Sequence, residues 1–516
     1  MIRLKLGRLA AGILISGLVC FLCLWQIGAT SISISDESLH VKVTQEIFQK
    51  GNWWSPTLSG MPYYSKPPFK MWLACLPLYL LGESNFSYRV LDGLLGIASC
   101  LTLSLLVWQL FRSFWGALLS PLALLSNYQY VFGAHGVRRA TQDPMLVFLT
   151  LVVFLLGWLW WQKRDVSSVR YALGLGLCTA CAVLTKSIAG AIPLALVVIF
   201  YLSGPEGLEF VKKNKLALGL CLISAIVPVA SYYLPHFLLT DGYYHLAVES
   251  ELVDRVQTGY HNSGKPAYYV RQILQGSFGP IGALLAGLGA FWATKFWRRD
   301  QGRFLLITLS VPLSVFSIIP SRLAWYLSSS YPSLAIISLF PWMVALEPHS
   351  QRKKLLIFLR GLTLLVICYH LSGFVARAIR PMQRSAFDLS LESVRKAGDI
   401  PLFVHGPGLR MDQPHHNRVE KIYLATLKER LHVFSALDQL PSNQAAFVVL
   451  LPSNESEKLL KTRSPASFAK LPHARHNKPP LMLLAFGARL EGAGFKQSKE
   501  KQSKEKQSPE LPVPPA

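Results

Sequence analysis

Two adjacent carboxylates, Asp36 and Glu37, follow the first apolar run of the chain, and a lysine, Lys66, precedes the proline pair Pro67 and Pro68. Because proline fixes its own φ and restricts the residue before it, Lys66 projects from a stiff, extended segment. A carboxylate that accepts a proton and a cation that neutralises phosphate are the groups needed for transfer from a phosphate leaving group. Capping of a helix N-terminus is the alternative role of the acidic pair, and position alone favours neither.

An amphipathic helix is predicted directly after the acidic pair, over Ser38–Lys50. Leu39, Val43 and Ile47 recur at a spacing of four, and polar residues occupy the other face. Gly51 is expected to end this helix. The pattern is typical of a helix that lies on a membrane surface.

The composition excludes a soluble enzyme with a single core. Of 516 residues, 51% are hydrophobic and 16% are charged, which is typical of a polytopic membrane protein. The formal charge of +24 therefore reflects cytoplasmic loops, and no nucleic-acid partner is expected. All eight cysteines lie within apolar runs, so they predict neither disulfides nor a zinc site.

The apolar runs predict about eleven to thirteen transmembrane helices. The first run is expected to be retained as a helix, with its basic N-terminus in the cytoplasm. Residues 69–81 form a short run that contains Pro77, and they are interpreted as re-entrant or interfacial. The later helices are predicted at 89–111, 115–133, 144–161, 171–185, 188–203, 216–238, 277–293, 304–320, 326–346 and 355–376.

The loop charges support this topology. All five short loops predicted to be cytoplasmic contain arginine or lysine, as the positive-inside rule requires, and counting 69–81 as a span would invert every one. Charged groups in the outward loops are functional candidates by default. An odd number of spans places the C-terminal region outside. The basic residues of the cytoplasmic loops are Arg112; Lys163, Arg164 and Arg170; Lys212, Lys213 and Lys215; Lys295, Arg298, Arg299 and Arg303; and Arg352, Lys353 and Lys354.

Three outward charges stand at helix ends. Asp143 precedes Pro144, the favoured first position of a helix, so helix capping and function are equally consistent with its place. Lys186 lies in a tight outward turn, where the positive-inside rule does not explain a cation, and function is favoured. Arg322 follows a proline break and precedes Tyr326, and interfacial snorkelling is an equal alternative to function.

A longer outward loop, about 239–276, contains Glu251 and Arg255 four residues apart. That spacing would join them as a simple ion pair on one helix face, which is the alternative to a binding role.

The C-terminal region predicts a small extracytoplasmic α/β domain over 381–492. Apolar runs at 400–406, 445–451 and 481–486 are interpreted as strands, and 417–431 as an amphipathic helix. His405, His415 and His416 match no zinc spacing and are interpreted as solvated. Residues 493–516 repeat Lys, Glu and Gln before prolines and are predicted to be a disordered tail.

Seven short motifs along residues 30–335 together resemble the GT-C class of membrane glycosyltransferases that use polyprenyl-phosphate sugars, most closely the aminoarabinose transferase and protein mannosyltransferase branch. Each motif is weak alone, but all seven are predicted on one side of the membrane. They are Asp36-Glu37 with Gly51 and Trp53; Pro62 to Pro68; Arg89 with Gly96; Arg139 with Asp143 and Pro144; Leu184 to Gly190; Glu251 with Arg255; and Ser321-Arg322 with Tyr326.

The resemblance implies roles for these residues. Asp36 would deprotonate or orient the acceptor, with Asp143 as the second acidic residue of the cavity. Direct displacement would invert the anomeric centre, and no cofactor, metal or nucleotide-binding fold is expected. Ser65 stands where the family often has glutamate, and Arg322 where it often has lysine. The cations expected to hold anionic groups are Lys66, Lys186, Arg255 and Arg322, and the further substrate-binding residues are Glu37, Tyr63, Arg139, Glu251 and Tyr326.

The resemblance also implies a place and a substrate class. The expected protein is a multi-pass glycosyltransferase of the bacterial inner membrane, with residues 1–380 as the catalytic domain and 31–88 as its first outer loop. It would move one sugar from a polyprenyl-phosphate donor to an extracytoplasmic acceptor, lipid A or lipopolysaccharide in the main hypothesis. A protein hydroxyl is the alternative acceptor, and a lipid-phosphate transporter or flippase is the alternative class. Transporters usually show paired halves, which this sequence lacks.

Overall fold

A computed structural model of the chain divides into two units, residues 1–29 with 35–381, and residues 30–34 with 382–516. The two units are described separately. The residues that the structure describes are 2–30, 32–33, 36–58, 60–163, 168–253, 267–277, 279–295, 299–343, 353–379, 402–405, 431–434, 440, 447–452, 456, 459–460, 465, 467–471, 481–486 and 496–497.

The first unit is helical. Besides the helices, it contains one two-residue β-hairpin, β1 Thr57–Leu58 with β2 Met61–Pro62. Short 3-10 turns occupy Ser187–Ala191 and Ala324–Ser330, and π-helical segments occupy His245–Val253 and Gln272–Ser277. The α-helices are α1 Ile2–Leu24, α2 Asp36–Lys50, α3 Phe69–Leu81, α4 Asn85–Phe111, α5 Phe114–Leu125, α6 Tyr128–Val131, α7 Asp143–Lys163, α8 Ser168–Lys186, α9 Ile192–Leu202, α10 Gly207–Lys213, α11 Lys215–Leu239, α12 Tyr268–Arg271, α13 Gly279–Lys295, α14 Asp300–Ile318, α15 Tyr331–Ser338, α16 Phe340–Met343 and α17 Lys353–Ile379.

The predicted class, a polytopic helical membrane protein, is confirmed. Within the described ranges, seven helical segments are long and apolar enough to cross a membrane, so the total of about eleven to thirteen spans stays a prediction. Helix α3 is too short for this set, in agreement with its interfacial interpretation. The seven are Leu6–Leu24, Asn85–Phe111, Asp143–Lys163, Val169–Leu202, Lys215–Leu239, Asp300–Ile318 and Lys353–Ile379.

Two predicted helices, 115–133 and 326–346, are divided in the structure. The first stops at Leu125, because Asn127 leaves the helix and its side chain caps α6 by accepting hydrogen bonds from the amides of Gln129 and Tyr130. The second begins as a 3-10 turn and is divided again at Leu339. Such breaks cannot be predicted from an apolar run alone, because the run is equally hydrophobic whether it forms one long helix or several short ones.

Helix α2 covers the predicted residues, but it does not have the solvent-exposed polar face that an amphipathic pattern predicts. Its polar face is buried as well as its apolar face, and Gln45 and Glu46 are almost inaccessible. Glu46 accepts hydrogen bonds from the Thr57 hydroxyl at 2.6 Å and the Gly60 amide at 3.0 Å, which holds the hairpin against α2. Gly51 ends the helix at φ +71°, as expected.

Helix α7 lies in the middle of the helical unit, packed against α4, α8 and α9. Its large side chains, Trp158 and Trp161 among them, are buried among the rings of Phe200 and Phe304. Helix α8 packs in turn against α11. The segment that follows α8 folds back tightly, since a Cβ at Gly190 would lie 2.1 Å from the Ala182 carbonyl carbon.

The second unit contains a six-stranded sheet in the order β4-β3-β5-β7-β6-β8. Strand β3 runs parallel to β4 and β5, and the other pairs are antiparallel. The predicted strands match β3, β5 and β7, while the predicted helix 417–431 lies outside the described residues except at Leu431, in β4. His415, His416 and the 493–516 tail, apart from β8, also lie outside them. The strands are β3 Leu402–His405, β4 Leu431–Phe434, β5 Phe447–Pro452, β6 Ser467–Leu471, β7 Leu481–Phe486 and β8 Lys496–Gln497.

Candidate active site

Asp143 and Lys186 form an ion pair between the ends of two packed helices. Asp143 is the first residue of α7 and Lys186 is the last residue of α8, and Lys186 Nζ lies 2.6 Å from Asp143 Oδ1. An anion at a helix N-terminus and a cation at a helix C-terminus each oppose the local helix dipole. Asp143 therefore both opposes the dipole of α7 and pairs with Lys186.

His135 connects this pair to Asp36. Its Nδ1 lies 2.9 Å from Asp143 Oδ2, and its Nε2 lies 3.5 Å from Asp36 Oδ2. The ring stacks on Trp325 with centroids 4.0 Å apart and planes 22° apart. Sequence reasoning missed His135, because it stands alone in the loop between α6 and α7 and no spacing links it to either aspartate.

The Asp36 carboxyl is accessible, with 48% of its side chain exposed. Burial by itself would raise the pKa of Asp36, but nearby positive charges, those of Lys66 and Lys186 among them, hold that pKa below its usual value. Asp36 is therefore an ionised carboxylate at neutral pH. An ionised carboxylate can accept a proton, and the predicted catalytic role of Asp36 stays a prediction.

His40 lies one turn along α2 from Asp36 and was also missed by sequence reasoning. Its side chain is buried, and burial lowers the pKa of His40 to about 3. Its Nδ1 atom has no hydrogen-bond partner among the described residues. His40 is therefore a neutral residue behind Asp36.

Glu37 does not face a ligand space. It is fully buried, and Arg89 donates to its two carboxylate oxygens at 2.6 and 3.1 Å. Arg139 donates to it at 3.1 Å and the Ala140 amide at 3.0 Å. These contacts hold α2 against α4 and the loop before α7, and the predicted substrate-binding roles of Glu37 and Arg139 stay predictions.

Arg138, the neighbour of Arg139, holds the His135 loop against the end of α1. Its guanidinium donates to the carbonyl oxygens of Leu22 and Trp25, each at 2.8 Å. Burial lowers the pKa of Arg138 to about 10, which still leaves it protonated at neutral pH. The loop position of His135 is thus determined by the exposed carbonyls at a helix C-terminus.

A cavity of about 470 Å³ adjoins these groups. Two cations, Lys66 and Lys186, line it, and Trp325, which stacks on His135, forms part of its wall. Tyr326 lines it too, and its predicted substrate-binding role stays a prediction. Most of the other lining side chains are apolar, including Leu146, Val183, Ile188, Ala189, Ile192, Phe237, Val248, Phe316 and Ile319.

The remaining predicted residues are distributed differently. Arg322 is half-buried and donates to the Ser317 carbonyl oxygen at 3.0 Å, which places it at the end of α14. Tyr63 packs in an apolar cluster with Val43 and Met71, and its predicted substrate-binding role stays a prediction. The Glu251 side chain and all of Arg255 lie outside the described residues, and their roles stay predictions.

No set of three His, Cys, Asp or Glu side chains that could hold a metal ion occurs in the described part of the chain. The side chains described at the site offer acid–base and electrostatic chemistry. An ionised, accessible carboxylate stands beside a histidine, and two lysines line an apolar cavity next to them. This arrangement can take a proton from one molecule while it neutralises an anionic group of another that carries an apolar chain.

Comparisons with known proteins identify sequences and a structure to which the chain is similar. Residues 65–232 match the family model described as dolichyl-phosphate-mannose-protein mannosyltransferase. The chain is 29% identical over 328 residues to an undecaprenyl phosphate-alpha-4-amino-4-deoxy-L-arabinose arabinosyl transferase of Pectobacterium carotovorum, covering 62% of this chain and 56% of the relative. It is 27% identical over 323 residues to an uncharacterized protein of Aquifex aeolicus, covering 62% of this chain and 61% of that one.

The fold resembles that of a solved enzyme over nearly the whole chain. The crystal structure of ArnT from Cupriavidus metallidurans bound to undecaprenyl phosphate superposes with a TM-score of 0.64 at 17% identity, covering 93% of this chain and 98% of that one. The predicted resemblance to GT-C membrane proteins is confirmed. The chain spans 56% and 61% of the length of the two curated relatives, less than two thirds in each case.

Proposed function

We propose that this multi-pass GT-C membrane protein is an inverting glycosyltransferase that moves a sugar from a polyprenyl-phosphate donor to an extracytoplasmic acceptor. One observation carries the proposal. Lys66 and Lys186 line an apolar cavity of about 470 Å³, and the Asp143 partner of Lys186 is joined through His135 to the accessible carboxylate of Asp36.

A lipid-linked sugar phosphate fits this arrangement. The apolar walls suit the isoprenoid next to the phosphate, and the two lysines can neutralise the phosphate as it becomes a leaving group. Such compensation is strongest in a site of low dielectric constant, where charges interact more than they do in water. An apolar cavity lined by two cations is therefore suited to this ligand.

Asp36 acts as the general base in the proposed reaction. The acceptor hydroxyl gives its proton to the Asp36 carboxylate, and its oxygen attacks the anomeric carbon of the sugar. The bond between that carbon and the phosphate oxygen breaks, and its electron pair leaves with the phosphate. A single displacement inverts the anomeric centre, and no covalent enzyme intermediate forms.

The names of the relatives guide the choice of substrate. The Pectobacterium relative is named for a donor in which undecaprenyl phosphate carries 4-amino-4-deoxy-L-arabinose, and the ArnT structure contains undecaprenyl phosphate. We take the same donor for this chain, with lipid A as the acceptor that the motif resemblance implies. The inner membrane is the corresponding location, with the N-terminus cytoplasmic, the site extracytoplasmic and residues 381–492 as a periplasmic α/β domain.

The test is a transfer assay with the purified full-length protein in detergent. The probes are undecaprenyl phosphate-linked 4-amino-4-deoxy-L-arabinose, radiolabelled in the sugar, and lipid A. Labelled lipid A is expected with the unaltered protein. Asp36→Asn should lower the rate by about 100-fold or more, since a general base contributes roughly 10²–10⁴. Asp241→Asn, at an exposed position after α11, is the matched control and should retain the rate.

Two outcomes would contradict the proposal. Full activity of Asp36→Asn would remove the general base from the mechanism. Binding of the donor without any transfer to an acceptor would favour a lipid-phosphate transporter instead.

A protein hydroxyl is the second candidate acceptor, supported by the match of residues 65–232 to the protein mannosyltransferase model. The two acceptors are distinguished by incubating membranes that contain the protein with the labelled donor. Label in the lipopolysaccharide fraction supports lipid A, whereas label in protein that resists lipid extraction supports the mannosyltransferase-like alternative.

A further inference from the structure

His135 is shielded, contacts both acidic residues of the site, and has no role in the reaction as described so far. Its side chain is 7% exposed, whereas that of Asp36 is 48% exposed. We infer that His135 receives, through Asp36, the proton that the acceptor loses, and so acts as a positioning residue that restores the Asp36 carboxylate. The inference rests on the proposed glycosyl transfer.

The hydrogen bonds of Asp143 determine which nitrogen of His135 is free. Asp143 Oδ1 accepts from Lys186 Nζ at 2.6 Å, and Oδ2 lies 2.9 Å from His135 Nδ1. The Asp143 carboxylate, paired with the Lys186 ammonium group, can only accept hydrogen bonds. His135 Nδ1 must therefore be the donor and carry a hydrogen. The lone pair of the His135 imidazole is therefore on Nε2, the atom that faces Asp36.

The surroundings of His135 suit a ring that gains a positive charge. The ring lies 4.0 Å from the Trp325 ring in a stacked arrangement, and a cation over an indole face is stabilised. Two carboxylates, Asp36 from α2 and Asp143 from α7, face its two nitrogens. The positive or titratable groups nearby are His40 from α2, Lys66 before α3 and Lys186 at the end of α8.

A second proton acceptor also compensates for the weak basicity of the Asp36 carboxylate. The neighbours of Asp36 hold the pKa of its carboxyl below the usual value, which makes the carboxylate a weak base. A proton on Asp36 would therefore be lost readily. Transfer onward to a shielded imidazole keeps the proton from returning to the acceptor oxygen while the new bond forms.

The step balances. The acceptor O–H bond breaks and the proton binds Asp36 Oδ2 as the sugar–oxygen bond forms and the sugar–phosphate bond breaks. The proton then passes from Oδ2 to His135 Nε2, which leaves Asp36 as a carboxylate and His135 as an imidazolium between two carboxylates. Release of that proton to solvent through Asp36 restores the starting state.

The first experiment compares His135→Gln with His370→Gln in the transfer assay of the full-length protein. Glutamine retains a donor and an acceptor but cannot hold the proton. The kcat of His135→Gln should fall about tenfold or more with the KM for the lipid-linked donor unchanged, in the range of acid–base effects. His370 is half-buried on α17 and does not line the cavity, so its variant should match the unaltered protein. A kcat of His135→Gln within about twofold of the unaltered value would overturn the inference.

The second experiment tests whether transfer needs a base at the position of the His135 ring, or only a group that fills the same space. His135→Ala is assayed with added imidazole or with added pyrazole, which has nearly the same shape but is far less basic. Recovery of kcat with imidazole alone supports the inference. Equal recovery with both, or recovery with neither while the apparent Tm is unchanged, would overturn it.

Failure of this inference is distinguishable from failure of the proposed function. Transfer by the unaltered protein with normal kcat in His135→Gln removes only the role of His135. Absence of transfer by the unaltered protein removes both.

Discussion

Asp36 and Glu37 are adjacent in the chain and lie in opposite environments. The Asp36 side chain is 48% exposed, whereas Glu37 is fully buried between Arg89 and Arg139. Successive residues of an α-helix point about 100° apart, so the first turn of α2 directs one carboxylate to the site and the other to the helical core. The pair thus performs two functions, one chemical and one structural.

Removal of the Glu37 charge should destabilise the protein. In Glu37→Ala the buried guanidinium of Arg89 loses its counter-charge, and such a loss costs about 3–5 kcal/mol. The check is the apparent unfolding free energy in detergent, measured by denaturant titration. Glu209→Ala is the control, because Glu209 is 65% exposed and pairs with Lys213 on the surface of α10, where about 0.5 kcal/mol or less is expected. Equal stability of the two variants would contradict the assignment.

The buried pair Lys70–Asp92 should show the behaviour of a matched ion pair. Lys70 Nζ lies 2.9 Å from Asp92 Oδ2, and the two side chains are 2% and 0% exposed. Asp92→Asn leaves a buried ammonium without its anion and should destabilise the contact between α3 and α4 by about 3 kcal/mol or more. The double variant Lys70→Met with Asp92→Leu should recover most of that loss, because neither charge remains to be desolvated. Thermal unfolding of both variants checks this, and a double variant that is less stable than Asp92→Asn would contradict it.

Substitutions of Lys186 and Asp143 should have non-additive effects on the rate of sugar transfer. Lys186→Met removes a cation that lines the cavity, and the loss of one such group lowers kcat by about 10²–10³. The double variant with Asp143→Asn should be no slower than the slower single variant, because the two side chains contact each other at 2.6 Å and their effects are not additive. Steady-state transfer by the four proteins tests this. Lys215→Met, at the exposed start of α11, is the control, and additive single effects would contradict a shared role.

His40 should make the protein sensitive to acid. Burial lowers the pKa of His40 to about 3, whereas an unfolded histidine titrates near 6.5. Between these values the unfolded state binds more protons, so this contribution is complete above about pH 6.5 and decreases as the pH falls toward 3. The slope is at most about 1.4 kcal/mol per pH unit. The measurement is apparent stability from pH 7 to pH 4.5, and His40→Gln should show a weaker pH dependence than the unaltered protein. Parallel curves would contradict the lowered pKa.

Several features were predictable because they depend on local chemistry. The bounds of α2 followed from a spacing of four and from Gly51, and the start of α7 from Asp143 and Pro144. The β3, β5 and β7 strands followed from short apolar runs. Lys66 and Lys186 were recognised because isolated cations outside the predicted cytoplasmic loops have no topological explanation.

Other features required the folded chain. His135 is one polar residue in a loop, and only the packing of α2, α7 and Trp325 around it makes it a bridge. Burial of the polar face of α2 was not predicted, because it depends on residues outside the helix. Gln45 hydrogen-bonds to Glu83, and Glu46 hydrogen-bonds to Thr57 of the hairpin. The breaks at Asn127 and Leu339 depend on caps and packing, which hydrophobicity does not report.

The sequence alone determined that the chain enters a membrane and which charged residues are costly enough there to suggest a function. It did so because the desolvation of a charge and the length of an apolar run are local quantities. Only the tertiary structure decided which of two neighbouring carboxylates is available for chemistry and which histidine stands beside it. Those outcomes depend on groups brought together from helices far apart in the chain.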